Sequence, residues 1–228
     1  MRTTRRSYLA ALGGATALGS IAGCLGGGSG GESGSTQTAS AALPEGCDVG
    51  TLESVSSLPR PALGPSDAPV TVDVFEDFTC PHCRDFTQSV YPEIKSTYVD
   101  AGDVHYRFFD FPIPVSDWSW LAASAARAVQ DRSDQETFFE FAKGVYENQD
   151  RLPGEGYQVV HDLADDLGVD GCAVAGAADQ EAYRPVVEAD REEGVEREIP
   201  GTPAVYVDGE LLDGYGLDTV RSAIDSQL

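Results

Sequence analysis

Cys80-Pro81-His82-Cys83 is the part of this 228-residue chain whose residue types and spacing most directly permit chemistry. The tetrapeptide follows an apolar run, Val70-Thr71-Val72-Asp73-Val74-Phe75, and opens a stretch that reads as a helix. A cysteine at a helix start meets free backbone N–H groups and the positive end of the helix dipole, and both favour thiolate over thiol. Thiolate is the species that carries out disulfide exchange. Pro81 fits the first helical turn, where its missing N–H costs nothing. His82 adds an imidazole that can donate a hydrogen bond to the thiolate and, when charged, attract it. Stabilising the reduced thiolate makes the corresponding disulfide a stronger oxidant, since about 30 mV corresponds to 1.4 kcal/mol for two electrons. The chemistry is therefore redox exchange on the thiols of other proteins.

A copper-binding module built on the Cys-x-x-Cys pair is the alternative from a different class. A closed zinc site lacks ligands here, because there is no second Cys-x-x-Cys and no nearby histidine pair, so no metal and no cofactor is expected. His105, on a strand, and His161, on a polar helix face, read as structural or solvated residues.

The elements that must hold the pair follow in order. Val70–Phe75 alternates and is β-branched, which predicts a strand. Residues 81–99 predict a helix that Pro92 should kink or divide. Residues 104–109 predict a second strand. A long helical block then occupies 118–131, 135–148, 157–167 (stopped by Gly168) and 173–194, with Pro185 as a break. Ala204–Val207 is a short apolar strand, Asp208-Gly209 a hairpin turn, Leu211-Leu212 the returning strand, and 217–227 a closing helix. Residues 58–69, rich in Pro, Gly and Ser, read as a loop. A strand–helix–strand unit plus a hairpin and helix makes a small mixed sheet with helices on its faces. The block between them, about 115–195, is too large for a crossover and must be an inserted helical subdomain. Trp118, Trp120, Phe138, Phe139 and Phe141 are expected to pack its core.

The front end reads as targeting rather than fold. Thr4-Arg5-Arg6-Ser7-Tyr8-Leu9 resembles a twin-arginine export signal, and the following apolar stretch is too short and glycine-rich to predict a membrane span. Ile21-Ala22-Gly23-Cys24 looks like a lipobox, with cleavage after residue 23 and a lipid on Cys24. Residues 25–42 are Gly/Ser/Thr-rich and cannot bury enough apolar surface to fold. The expected organisation is a signal peptide over 1–23, lipidated Cys24 and a flexible tether over 24–57, and the folded domain over 58–228. The localisation this implies is the outer face of the cytoplasmic membrane.

Formal net charge is −23, from 38 acids against 15 bases. Loss of a signal carrying Arg2, Arg5 and Arg6 and no acid makes the mature chain more acidic still. Lysine is confined to Lys95 and Lys143. Such a surface excludes nucleic acid as a partner and resembles proteins of salt-loving archaea, where salt screens self-repulsion. Cys24 belongs to the lipid and Cys80 and Cys83 to the redox pair, which leaves Cys47 and Cys172. An exported chain tolerates a bridge between these two. Nothing in the sequence brings them together, so unpaired thiols are the reading adopted.

The arrangement resembles the DsbA-like branch of the thioredoxin superfamily over roughly residues 63–228. Gly64-Pro65-Ser66-Asp67-Ala68-Pro69-Val70 looks like the family's lead-in, and Phe75 with Asp77-Phe78-Thr79-Cys80-Pro81-His82-Cys83 like its active site. Phe109-Asp110-Phe111-Pro112 and the Ala-rich helix match its second strand and insertion. Gly201-Thr202-Pro203-Ala204-Val205-Tyr206-Val207-Asp208-Gly209 looks like its cis-proline loop and final hairpin. The resemblance implies a thioredoxin-like α/β fold with a Cys80–Cys83 disulfide, Cys80 the exposed nucleophile and Cys83 the buried resolving partner. It also implies a cis Thr202–Pro203 bond facing the disulfide, whose backbone edge binds substrate as an added strand. A dithiol oxidase of exported proteins, renewed by a separate redox partner, is the implied activity; a reductase or isomerase would use the same residues. One position departs from the family. Many relatives carry a buried acid six residues before the first cysteine, where this chain has Val74. Asp73 should point to the opposite face, which leaves Glu76 as a weak substitute in moving the proton of the resolving thiol.

Overall fold

The computed structural model describes residues 42–113 and 116–228. The export signal, Cys24 and the glycine-rich tether up to residue 41 lie outside the described residues.

The first long strand is β2 (Val70–Glu76), preceded by a two-residue strand β1 (Ala62–Leu63). After β2 come α1 (Pro81–Ser89) and α2 (Tyr91–Ile94), the latter continuing as one π-helical turn over Lys95–Val99. The expected division at Pro92 is present: Val90 separates the two helices, because proline brings no N–H to the ladder and crowds the preceding turn. β3 (Val104–Asp110) then pairs parallel to β2, with Val74 opposite Phe108. After the insertion, β4 (Ala204–Val207) pairs antiparallel to the other edge of β2 and turns back as β5 (Glu210–Leu211). The sheet order is β1-β3-β2-β4-β5. β1 lies within the segment expected to be a loop. Two residues among prolines and glycines carry no strand periodicity, and only pairing with β3 (Ala62 opposite Arg107) makes them a strand.

The insertion holds α3 (Trp118–Arg132), α4 (Gln135–Glu147), α5 (Leu152–Asp166), α6 (Gly171–Asp179) and α7 (Arg184–Glu196). α5 starts earlier than its apolar pattern suggested, with Pro153 in its first turn, and Gly168 beyond its end has a φ of +76°. The stretch 173–194 is divided as expected, into α6 and α7, but the division falls earlier than Pro185. Glu181, at a φ of +45°, marks the break, and Pro185 sits in the first turn of α7, where it does no harm. α8 (Leu217–Asp225) closes the chain.

The two sheet faces bury different chemistry. Val70, Val72 and Val74 face the larger core with Ile94, Phe108, Phe138, Phe141 and Val145. Phe75 and Phe109 stack on the other face, with Tyr206 edge-on to Phe75, and Gly194 of α7 comes close enough that a Cβ there would lie 2.5 Å from the Phe111 ring. Trp118, Phe138, Phe139 and Phe141 are buried as expected, while Trp120 is half-buried under the Arg184 guanidinium at 3.9 Å. Arg127 of α3 is almost completely enclosed and binds Asp110 of β3 at 2.6 Å and Asp190 of α7, tying the insertion to the sheet through one buried ionic cluster.

Two expectations from the sequence are corrected here. Cys47 and Cys172 form a disulfide rather than two unpaired thiols, joining segments 125 residues apart that only the fold brings together. Residues 42–57 are not free tether. Besides the disulfide, Leu52 N–H donates to Gln180 Oε1 at 2.9 Å and Val55 N–H to the Ala182 carbonyl at 2.8 Å, while Leu43, Leu52 and Val55 pack on the core. The segment is a strap along α6, held by contacts too few and too scattered to show in its composition.

Candidate active site

Cys80 is the N-cap residue of α1, extended at φ −78°, ψ 121°. Its position is set from three sides. Its N–H donates to the Asp77 carbonyl at 3.0 Å. Its carbonyl accepts from Arg84 N–H at 3.2 Å and from Gln149 Nε2 at 2.9 Å. The same Gln149 amide donates to the Phe78 carbonyl at 2.8 Å, so a buried residue of the insertion fastens the turn that carries the nucleophile. Asp77, also buried, accepts from Thr79 N–H at 2.7 Å and Ile113 N–H at 2.6 Å, fixing the strand-to-helix corner.

Cys80 and Cys83 are free thiols here, the reduced form of the pair. Cys83 is fully buried and Cys80 is 8% exposed, so Cys80 is the sulfur a substrate can reach, though it is less open than expected. The covering element is the loop before β4. Thr202–Pro203 is cis, as expected, and the Cys80 thiol donates to the Thr202 carbonyl at 3.4 Å. The remaining edge of this loop, with Leu211 and Leu212, lines an open groove of about 270 Å³ beside the sulfur.

The two sulfurs are driven to opposite protonation states. Cys80 is lowered to about 5, chiefly by the hydrogen bond from the Cys83 thiol. Burial opposes the drop, and the Thr202 side chain, whose hydroxyl is buried with no partner at ordinary hydrogen-bond distance, and the backbone N–H groups of Cys83 and His82 add to it. Cys83 is pushed well up by burial, by its bond to Cys80, and by the negative charges of Glu76 and Cys80. Asp77 N–H donates to Cys83 Sγ at 3.4 Å.

Two sequence expectations change in detail. His82 acts on the thiolate through its backbone N–H. Its exposed ring turns away, Nδ1 lying 3.0 Å from the Tyr215 hydroxyl. Glu76 is more than a weak substitute. β2 extends through it, and the two-residue period of a strand puts position 76 on the face of Val74, toward the cysteines. There it is 2% exposed, bonded by Thr87 Oγ1 at 3.1 Å, and raised from 4.5 to about 8, mainly by burial. Asp73 points away as expected, its carboxylate taken by Arg107 at 2.6 Å and Arg197 at 2.9 Å. Gln149 and Tyr215 were not singled out from sequence. Glutamine and tyrosine far along the chain carry no local signal, and only the packing of the insertion and the closing segment against α1 brings them in.

Known proteins resemble this chain in sequence and fold. A family profile described as Thioredoxin matches residues 56–226. Disulfide bond formation protein D of Bacillus subtilis is 29% identical over 175 residues, covering 74% of this chain and 77% of that protein. The probable disulfide bond formation protein D of Bacillus cereus is 32% identical over 173 residues, covering 73% and 78%. Among solved structures, oxidised BdbD from Bacillus subtilis superposes with a TM-score of 0.68 at 28% identity, over 77% of this chain and 98% of that one. Wolbachia pipientis alpha-DsbA1, at 22% identity and a TM-score of 0.64 over 75% of this chain and 92% of that one, extends the likeness of fold. The fold and the Cys80/Cys83 site thus define a thiol:disulfide oxidoreductase. The chain belongs to the thioredoxin family, in its DsbA-like branch.

The buried carboxyl has a measurable consequence. A folded-state value raised to about 8 means that folding prefers neutral Glu76. The cost of ionising it starts as pH passes the unfolded value of 4.5 and is complete above about 8. In the reduced protein, Glu76→Gln should match wild type in stability at pH 4 and exceed it at pH 8 by a few kcal/mol, because each pH unit between the unfolded and folded values is worth about 1.36 kcal/mol. Urea unfolding across this range checks it; an equal stability difference at both pH values would contradict the assignment.

Proposed function

We propose that this protein is a dithiol oxidase of exported proteins. The observation that carries the direction is the depressed pKa of Cys80. A sulfur stable as thiolate leaves readily and holds the reduced state low in energy, which supports an oxidising disulfide. In the oxidised enzyme a substrate thiolate attacks Cys80 Sγ, the Cys80–Cys83 bond breaks, and its electron pair goes to Cys83. The Cys83 thiolate needs a proton, and Glu76, protonated at neutral pH, is the buried group that supplies it. A second substrate thiolate attacks the substrate sulfur of the mixed disulfide and Cys80 departs as thiolate. The substrate gains a disulfide and the enzyme two electrons, which a separate redox partner must remove. The names of the Bacillus relatives, which refer to disulfide bond formation, support the same direction.

Equilibration of the Cys80–Cys83 pair with glutathione tests this, at high salt because the acidic, lysine-poor surface suits a saline habitat. A potential above about −200 mV is expected; one near about −270 mV would make the protein a reductase.

We further propose export and lipid anchoring on the outer face of the cytoplasmic membrane. Arg5-Arg6 and the Ile21-Ala22-Gly23-Cys24 segment support it, and the Cys47–Cys172 bridge suits an oxidising compartment. Among the described residues no helix is long and apolar enough to cross a membrane. Cys24→Ser should move the protein from the membrane to the soluble fraction, and lysine at positions 5 and 6 should retain the precursor inside. Unchanged fractionation of both variants would remove the proposal.

A further inference from the structure

The Cys47–Cys172 bridge does not stand alone. His161 of α5 has a ring nitrogen within 4.8 Å of both sulfurs. Its Nδ1 lies 2.9 Å from Asp162 Oδ1, and Asp162 is in turn held by Gln158 Nε2 at 2.7 Å. A carboxylate on one ring nitrogen fixes the tautomer and leaves the other with its lone pair free, the arrangement that orients metal-binding histidines. The free nitrogen, Nε2, is 3.7 Å from Asp165 Oδ2, one helical turn along the same face. Gly171, at the start of α6 and next to Cys172, makes the cluster possible. A Cβ there would lie 2.8 Å from Asp165 Oδ1 and 2.9 Å from His161 Cδ2. Two sulfurs and an imidazole therefore converge, with the Asp165 carboxylate beside the ring. Cys47 lies far from the others in sequence, so no local motif discloses the cluster.

We propose that this cluster is a second redox centre that binds a zinc-class divalent cation when its disulfide is open. An external dithiol reduces the Cys47–Cys172 bond, giving it two electrons and two protons and becoming a disulfide itself. The cation then displaces both thiol protons and takes Cys47 Sγ, Cys172 Sγ and His161 Nε2 as ligands, with a water molecule in the fourth position. Two thiolates with an imidazole and an open fourth position suit zinc, and cobalt(II) reports on the same geometry. The strap over residues 42–57 stays fastened to α6 in either state, by an S–S bond or by the cation.

The test uses the full chain carrying Cys80→Ser and Cys83→Ser, so that the active-site sulfurs cannot bind metal, reduced with a phosphine and titrated with cobalt(II). One equivalent should produce the thiolate-to-cobalt charge transfer and the strong visible bands of a tetrahedral site, and zinc should abolish them. The oxidised form should show neither. Adding Asp162→Asn, which leaves all three protein ligands in place, should weaken binding roughly 10–100-fold, and His161→Ala by at least as much. Absence of the bands overturns the proposal, whether the reduced chain stays folded by circular dichroism or unfolds and is not restored by cobalt. So does cobalt affinity that is unchanged in His161→Ala.

Discussion

One sulfur atom held as an anion at the start of a helix is the constraint around which the rest of the molecule is arranged. A thiolate needs hydrogen-bond donors and a positive field, and a nearly buried one needs them more, because burial alone would push it back to the thiol. Here the donors are the Cys83 thiol and the N–H groups of the first helical turn, with the Thr202 side chain close by. The arrangement is not held by α1 alone. Thr202 reaches the site because β4 pairs with β2, and the helix start is held in place because Gln149 reaches from the insertion to the Phe78 and Cys80 carbonyls. The helical subdomain thus sets the position of the reactive turn as well as bordering it.

The second half of the arrangement is the separation of charge along one short axis. Cys83 and Glu76 lie behind Cys80, both buried and both raised, so that negative charge is favoured at the surface sulfur and disfavoured below it. In disulfide exchange this ordering decides which sulfur leaves as an anion and which must take up a proton. Asp73, one residue before Val74, belongs to a separate network: Arg107 and Arg197 neutralise it on the far face of the sheet.

Much of this was legible from sequence, because local chemistry and short periods encode it. Cys80 to Cys83, the strand before them and the divided helix at Pro92 follow from neighbouring residues, and the cis bond at Pro203 from the family resemblance. What escaped depends on contacts between distant segments. β1 exists only as a partner of β3, and the 42–57 strap exists through a disulfide to Cys172. Gln149 and Tyr215 arrive from elements with no sequence link to α1. Glu76 is the instructive intermediate case. Strand alternation from Val74 to position 76 was available in the sequence, but it mattered only once the strand was seen to continue past Phe75.

The most direct test is the pH titration of the reduced protein, following thiolate absorbance in the ultraviolet. The account predicts one ionisation near pH 5, from Cys80, and none from Cys83 until well above the ordinary thiol range. A first inflection near about 8.5, the value of an unperturbed cysteine, would contradict it.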